Sequence, residues 1–354
     1  MNLFPYLALL FVSLAPPCAS RQPARYTIDL DVYPTRRWDQ VIEDHAHLLP
    51  AIVDESKKYI PKRLQPFVWW VASQVSRFFP EDTRKELEGI AAASGLPFGE
   101  IVGLNILYDI AAFDRRHIFG LGCTSIVAQN ARGDIFHGRN LDYDMTDLLK
   151  NITIYVDFVR DGKVLYSGVT FALYNGILTG MRPGKYSISL NARFSGAYID
   201  NILMELYTRF RRPVSHFIRE VLEHKESYTD ALEALSTTHL FSPSYIIVAG
   251  TRHNEGAIIS RNRWSAANVY RLNFEANKWF LVETNYDNWK RRQGDARRIT
   301  AIRALKAIGA DSLSAERVAD VLRTEPVRNN LTVFSSVMSP KHPLLFANST
   351  WIWP

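Results

Sequence analysis

Apolar residues follow two rhythms along this chain, and the change falls at Cys123. Residues 21–122 read as mostly helical. A short extended piece, "RYTIDLDV", leads into "WDQVIEDHAHLLPAIVDESKKYI", "LQPFVWWVASQVSRFF" and "PEDTRKELEGIAAASG". Pro80 with Glu81 and Asp82 makes a helix start, and Gly95 makes a stop. "PFGEIVGLNILYDIAAF" gives one more helix before the charged "DRRH".

From Cys123 the pattern alternates or runs β-branched through "CTSIVAQ", "DIFHGRNLDY", "NITIYVDFVRDGKVLYSGVTFAL" and "KYSISLNARF", with turns at Asn130-Ala-Arg-Gly and Asp161-Gly162. A helical pair is expected over about 200–238. Strands return in "SYIIVAGTRHNEGAIISRNR", "NVYRLN" and "KWFLVETNYD". Two helices, "ARRITAIRALKAIG" and "SAERVADVLRTE", precede a last strand, "LTVFSSVM". This order predicts an α+β fold in which two large antiparallel sheets lie layered between helices.

Composition changes the picture little. The 354 residues are 47% hydrophobic and 22% charged, an ordinary globular balance with ample length for a large core. The net charge of +6 is spread, with short basic runs at "TRRW", "RFRR" and "WKRRQGDARR". Such a surface is either simply solvated or drawn to anionic lipid. No recognition helix, zinc finger or RNA-binding signature is present, so no nucleic-acid partner is expected.

The ends and cysteines say more. "MNLFPYLALLFVSLAPPCAS", residues 1–20, has an apolar stretch closing on small residues and reads as a cleavable signal peptide, although it lacks a basic start. Three sequons, at Asn151, Asn330 and Asn348, agree with a secretory route. Cys18 leaves with the signal, so the mature chain carries one thiol and no internal disulfide. Cys123 is then either inert and buried or chemically employed.

Chemistry at Cys123 becomes simple if the Gly122–Cys123 bond is cut. The new terminus holds a thiol and an α-amine on one residue. The amine titrates near 7.7–8.0 and the thiol near 8.5 in model peptides, so the amine can act as the thiol's base. Before the cut the thiol can attack the Gly122 carbonyl by an N-to-S acyl shift, and glycine offers no side chain in the way. "HGRNLDYD" places Arg139 and Asp142 one hairpin from Cys123, and Asn285 in "ETNYDNW" could donate to an oxyanion. Each has a duller reading: a structural ion pair between Arg139 and Asp142, a turn former at Asn285. A papain-like site would need a histidine base in a motif near Cys123, and none is seen; "HExxH" spacing and Gly-rich nucleotide loops are absent too. No cofactor or metal is expected.

"CTSIV…G…HGRNLDY", "TNYDNWK…RR" and "NNLTVFSSVMS" closely resemble the acid ceramidase and N-acylethanolamine-hydrolyzing acid amidase family, from about Tyr26 to the last strand. The resemblance implies an N-terminal nucleophile (Ntn) hydrolase with an αββα sandwich. It implies a lysosomal proenzyme, self-cleaved at acidic pH, that hydrolyses a lipid amide. Residues 21–122 would form a helical α subunit and residues 123–354 a β subunit, held as a non-covalent heterodimer. By motif, Cys123 corresponds to the nucleophile, Arg139 and Asp142 to the pair that positions amine and substrate, and Asn285 to the oxyanion asparagine. Arg297 corresponds to the first arginine of the family's "DDRR", here "DARR". Ala192, in "LNARF", stands where the family usually has a carboxylate, which puts maturation rate or head-group preference in question. The short "NLDYDMTDLLKNITI" and the lack of further cysteines resemble the ethanolamide amidases more than the ceramidases; "DRRHIFGLG" before Cys123 is longer than expected in either. A catalytically weak lipid carrier is the remaining alternative.

A lipid substrate must also be reached. "LQPFVWWVASQVSRFF" concentrates aromatics, among them Trp69, Trp70, Phe78 and Phe79, on one short helix. They are either core or a membrane contact, with Lys62, Arg63 and Arg77 near lipid head groups.

Overall fold

Strand pairing builds two sheets in the computed structural model, which describes residues 20–58, 63, 65–111, 122–193, 213–289 and 295–354. The signal segment, most of "DRRHIFGLG", Lys62, the start of the 200–238 helical stretch and the Phe78 side chain lie outside the described residues. The smaller sheet has the order β11-β2-β3-β12-β13, with β2 at Gly122–Gln129, β3 at Ile135–Asp142, β11 at Phe280–Glu283, β12 at Thr332–Met338 and β13 at Thr350–Ile352. The larger runs β1-β4-β5-β6-β7-β8-β9-β10. Its members are β1 (Ala24–Asp29), β4 (Thr153–Arg160), β5 (Lys163–Phe171), β6 (Thr179–Arg182), β7 (Tyr186–Ala192), β8 (Ser244–Ala249), β9 (Gly256–Arg261) and β10 (Ala266–Arg271). All pairings are antiparallel except β1 beside β4. The Asp161-Gly162 turn has both residues at positive φ, 51° and 69°, which suits a two-residue hairpin between β4 and β5.

Alternation along β2 explains the layering. Val127 meets Tyr245 and Ile247 of β8 between the sheets, whereas Ile126 and Ala128 meet helices on the opposite face. Those helices are Ala296–Ile308 and Ala315–Arg323; Val214–His224 and Tyr228–Thr237 cover the outer face of the larger sheet. Taken in chain order these four are α9, α10, α7 and α8. The expected αββα sandwich is observed.

The N-terminal segment is woven into this body. Its helices are α1 (Asp39–Asp44), α2 (Leu49–Lys58), α3 (Gln65–Val75), α4 (Glu81–Ser94) and α5 (Phe98–Ala111). The single helix expected over "WDQVIEDHAHLLPAIVDESKKYI" is broken by a 3₁₀ turn at Ala46–Leu48. Gly95 ends α4 with φ 69°, the left-handed stop expected. Leu87, Ile90, Ile101 and Val102 share one apolar cluster with Ile154, Phe158 and Tyr166 of the larger sheet. Helix α6 (Thr146–Ile152), strands β6 and β13, and helix α11 (Leu344–Asn348) were not anticipated; each is short, and "NLDYDMTDLLKNITI" read as a connecting run.

Two expectations about the aromatic helix are corrected. Trp69 turns inward, because α3 crosses α5 at glycines: a Cβ on Gly99 would strike the Trp69 carbonyl, and one on Gly103 its ring. Phe79 is buried against His216, their ring centres 5.0 Å apart. Trp70 is 60% exposed, and Phe67, 63% exposed, stacks on it. Among the described residues no helix is long and apolar enough to cross a membrane.

Candidate active site

Gly122 and Cys123 open β2, where pairing sets Gly122 opposite Asp142 and Cys123 opposite Leu141 on β3. Cys123 is fully buried, its Sγ 3.9 Å from the Leu190 carbonyl of β7 across the gap between sheets. The backbone of Cys123 is held at both polar groups. Its N–H donates to Asn285 Oδ1 at 3.0 Å, and its carbonyl accepts from Arg297 Nη1 at 3.0 Å.

Arg297 ties the rest together. From the first turn of α9 it also donates to Asp142 Oδ2 at 3.2 Å and, through Nη2, to Asn285 Oδ1 at 3.1 Å. Asp295, the cap of that helix, accepts from Arg297 Nε at 3.2 Å and from the Thr284 hydroxyl at 2.6 Å. The shortened "DARR" therefore keeps its first arginine at the centre of the site.

Asn285 is oriented by its neighbours. Its oxygen must face the Cys123 N–H, and its nitrogen donates to the Ala192 carbonyl at 2.9 Å. The carboxamide has a second N–H to offer. Arg139 lies on the inter-sheet face of β3, donating to Asn191 Oδ1 at 2.6 Å and to the Leu190 carbonyl at 2.8 Å. Arg139 and Asp142 are three residues apart on a strand and point to opposite faces, so the structural ion pair between them does not form. The cation bonded to Asp142 is Arg297. Asn285, Arg297 and Asp142 thus gather around the Gly122–Cys123 bond, whereas Arg139 lies on the inter-sheet face and bonds the Leu190 carbonyl that the Cys123 Sγ also approaches.

Several partners escaped that reading. Asn191 accepts from Arg139 and Ser125 and donates to the Glu283 and Thr284 carbonyls at 3.1 and 2.8 Å, linking β7 to the segment that carries Asn285. Ser125 meets Ser189 at 2.9 Å, and Ser189 meets His137, whose other nitrogen meets Ser187. Burial and the Arg139 charge hold the His137 imidazole down at about 3, so it is neutral. Asn191 stands beside Ala192 in "LNARF", and alternation was the available signal: residues 189 and 191 of β7 point across the gap at the face of β2 that carries 123 and 125.

Electrostatics separates the carboxyls. Burial pushes Asp142 up from the ordinary aspartate value; Arg297, Thr332, Asn329 and Arg139 oppose this. Burial pushes Glu283 up to about 8 despite Arg298 beside it. Ala192 is buried and brings no carboxylate; Arg193 next to it pairs with Asp287 at 2.8 Å.

Two face-to-face sheets between helices, with a buried cysteine opening an inner strand, define an amide hydrolase of the Ntn type. Residues 123–311 match the model of linear amide C–N hydrolases of the choloylglycine hydrolase family, and residues 21–79 match that of the beta subunit of N-acylethanolamine-hydrolyzing acid amidase. The latter match puts the label beta on the N-terminal segment. The chain is 66% identical to the N-acylethanolamine-hydrolyzing acid amidase of Caenorhabditis elegans, over 98% of this chain and 99% of that one. It is 34% identical to the acid ceramidase of Pan troglodytes, over 88% and 82%. A solved chain of the C. elegans amidase ortholog superposes with TM-score 0.62 and 69% identity, covering 66% of this chain and 100% of that chain. The chain belongs to the N-acylethanolamine-hydrolyzing acid amidase and acid ceramidase family, and it is an enzyme that hydrolyses linear amides.

Proposed function

We propose that this protein is a proenzyme that cuts itself between Gly122 and Cys123 and then hydrolyses N-acylethanolamines to fatty acid and ethanolamine. The observation that carries this reading is the Cys123 backbone, held at its nitrogen by Asn285 and at its carbonyl by Arg297. A cut at that bond leaves the α-amine on Asn285, beside its own thiol. The 66% share covered by the solved ortholog chain is about the share that follows Gly122.

In the first step the Cys123 thiol adds to the Gly122 carbonyl, nitrogen leaves as the α-amine, and water hydrolyses the resulting thioester. In each later turnover the α-amine takes the thiol proton and the thiolate adds to the fatty amide carbonyl. The second Asn285 N–H donates to the oxyanion. Arg139 Nε is buried without a hydrogen-bond partner among the described residues, and its Nη2 bonds the Leu190 carbonyl that the thiol also approaches, which supports a role in holding substrate. The amine then returns its proton to the leaving ethanolamine and activates the water that frees the acid.

Ceramide is the second reading, supported by the acid ceramidase relatives; the 66% identical amidase favours the ethanolamide. Phe67 and Trp70 support approach to a lipid surface. Entry to the secretory pathway, glycosylation and a lysosomal site belong to the same proposal. All three sequon asparagines are exposed. Their threonines, however, are buried and hydrogen-bonded, Thr153 to the Leu149 carbonyl and Thr350 to the Phe346 carbonyl, so each has a structural reason to be present. The test is a substrate panel on acid-incubated protein, a saturated long-chain N-acylethanolamine against a ceramide of the same acyl chain. A larger kcat/KM for the ethanolamide is expected; faster release of sphingoid base would overturn the preference.

A further inference from the structure

Asp142 is held by a loop that the mechanism above does not use. Strand β12 enters beside β3 with an irregular register between Thr332 and Phe334, and this sets Thr332 opposite Asp142. The buried Thr332 hydroxyl donates to Asp142 Oδ1 at 2.8 Å, and Asn329 Nδ2 donates to Oδ2 at 3.1 Å. Direction can be assigned at Thr332. Its oxygen accepts the Asn329 backbone N–H at 3.0 Å, so its single hydrogen is the one given to Asp142. Asn329 Oδ1 accepts from the Leu331 N–H at 2.9 Å, which fixes the amide with its nitrogen toward the carboxyl. With Arg297, three donors converge on Asp142. Oδ2 accepts two of them, so a proton there would set an O–H against a donor, and all three donors favour the charged form over the neutral one.

We propose that Asn329 and Thr332 are positioning residues that hold Asp142 as a carboxylate beside the Gly122–Cys123 bond, so that this loop sets the acid limit of activity. The proposal rests on the functional reading above. A Cβ on Gly122 would lie 3.0 Å from Asp142 Oδ2 and 3.1 Å from Arg297 Nη1, so the carboxylate and its cation flank the bond to be cut. The ionised carboxylate anchors Arg297, and Arg297 in turn holds the Cys123 carbonyl. The charged group facing Asp142 is Arg297 from α9, with Asp295 on the far side of Arg297; Arg139, on the opposite face of the same strand, acts on Asp142 only through its charge. Burial works against the charge, which is why neutral donors matter here. Thr332 is also the threonine of the Asn330 sequon, so the residue that completes the sequon completes the clamp.

The test compares the full-length wild type with Thr332→Val, Thr332→Ser and Asn330→Gln, measuring self-cleavage rate and kcat/KM for an N-acylethanolamine from pH 4 to 7. Thr332→Val should move the acid limb of both profiles upward by about one pH unit, the size of one hydrogen bond to a charged group. Thr332→Ser keeps donor and sequon and should follow the wild type; Asn330→Gln loses the sequon alone and should do the same. Asn329→Ala carries the expectation of the valine variant should that variant not fold. An acid limb that stays in place, or a loss uniform in pH, would overturn the proposal. A wild type inactive at every pH would overturn the functional reading with it, whereas an active wild type with an unmoved Thr332→Val limb overturns the clamp alone.

Discussion

Two buried carboxylates, Glu86 and Asp142, sit in different parts of this molecule under similar burial and are driven in opposite directions. Glu86, on α4, receives Arg219 through both Nη atoms, Arg37 at 3.0 Å, Trp38 Nε1 at 3.0 Å and Asn175 at 3.1 Å. Burial alone would raise it, yet the Arg219 charge and these hydrogen bonds hold it below the ordinary glutamate value. Asp142 has one bonded arginine and two neutral donors, and burial keeps it above the ordinary aspartate value. Burial alone is therefore not the deciding quantity; the bonded cations and hydrogen-bond donors that oppose it are. The two environments also suit different work. Glu86 joins the N-terminal segment to Arg219 and Asn175 of the C-terminal one, and among the described residues no disulfide does so. Asp142 stands beside the Gly122–Cys123 bond, raised by burial and opposed by Arg297 and two neutral donors.

Breaking the first region should give the largest effect on stability. Glu86→Gln leaves the buried Arg219 without its carboxylate, while Arg37 keeps Asp82 at 3.1 Å, and the loss is about 3–5 kcal/mol. Denaturant unfolding of the whole chain, measured in a Cys123→Ala background, should show it. Wherever the variant stays folded with Cys123 intact, self-cleavage should proceed at the wild-type rate; failure to process would show that the two regions are not separable. The depressed Glu86 value means its contribution is present above pH 4.5 and is lost only as pH falls through its lower folded value, so it persists in mild acid.

A smaller effect is expected at the site. Gly122→Ala puts a methyl group against Asp142 and Arg297, and such overpacking costs about 1–3 kcal/mol. If that strain falls on the cleavage geometry, processing slows about ten- to a hundredfold while the melting temperature changes little. An alanine variant processed at the wild-type rate would remove the pair from the cleavage step.

The arrangement of these sites was only partly written in the local pattern. The change of period at Cys123 and the turn residues Asn130 and Asp161 located β2 to β5, because alternation is visible within a few residues. Helix α6 and strand β6 span seven and four residues, too few for a period to stand out. Cys123, Arg139, Asp142, Asn285 and Arg297 were legible from motif and type. Their partners were not, since Asn191, Thr332 and Asn329 reach the site only through sheet register. The inward turn of Trp69 depends on Gly99 and Gly103 of another helix, which periodicity within α3 does not contain.

A third carboxyl sharpens the comparison. Glu283, raised from 4.5 to about 8, stabilises the fold fully below pH 4.5, and that contribution is lost as pH rises through 8. The melting temperature should therefore be higher at pH 5 than at pH 8, and Glu283→Gln should reduce the difference. An unchanged difference would place its source elsewhere.

The central claim is that Cys123 becomes the nucleophile by becoming a terminus. Intact-mass analysis of the purified chain before and after incubation at mildly acidic pH, with N-terminal sequencing of the fragments, tests it most directly. The account predicts a C-terminal fragment beginning Cys-Thr-Ser-Ile in the wild type and an uncut chain in Cys123→Ala. A chain that stays whole yet hydrolyses the amide, or a Cys123→Ala chain still cut at 122/123, would contradict it.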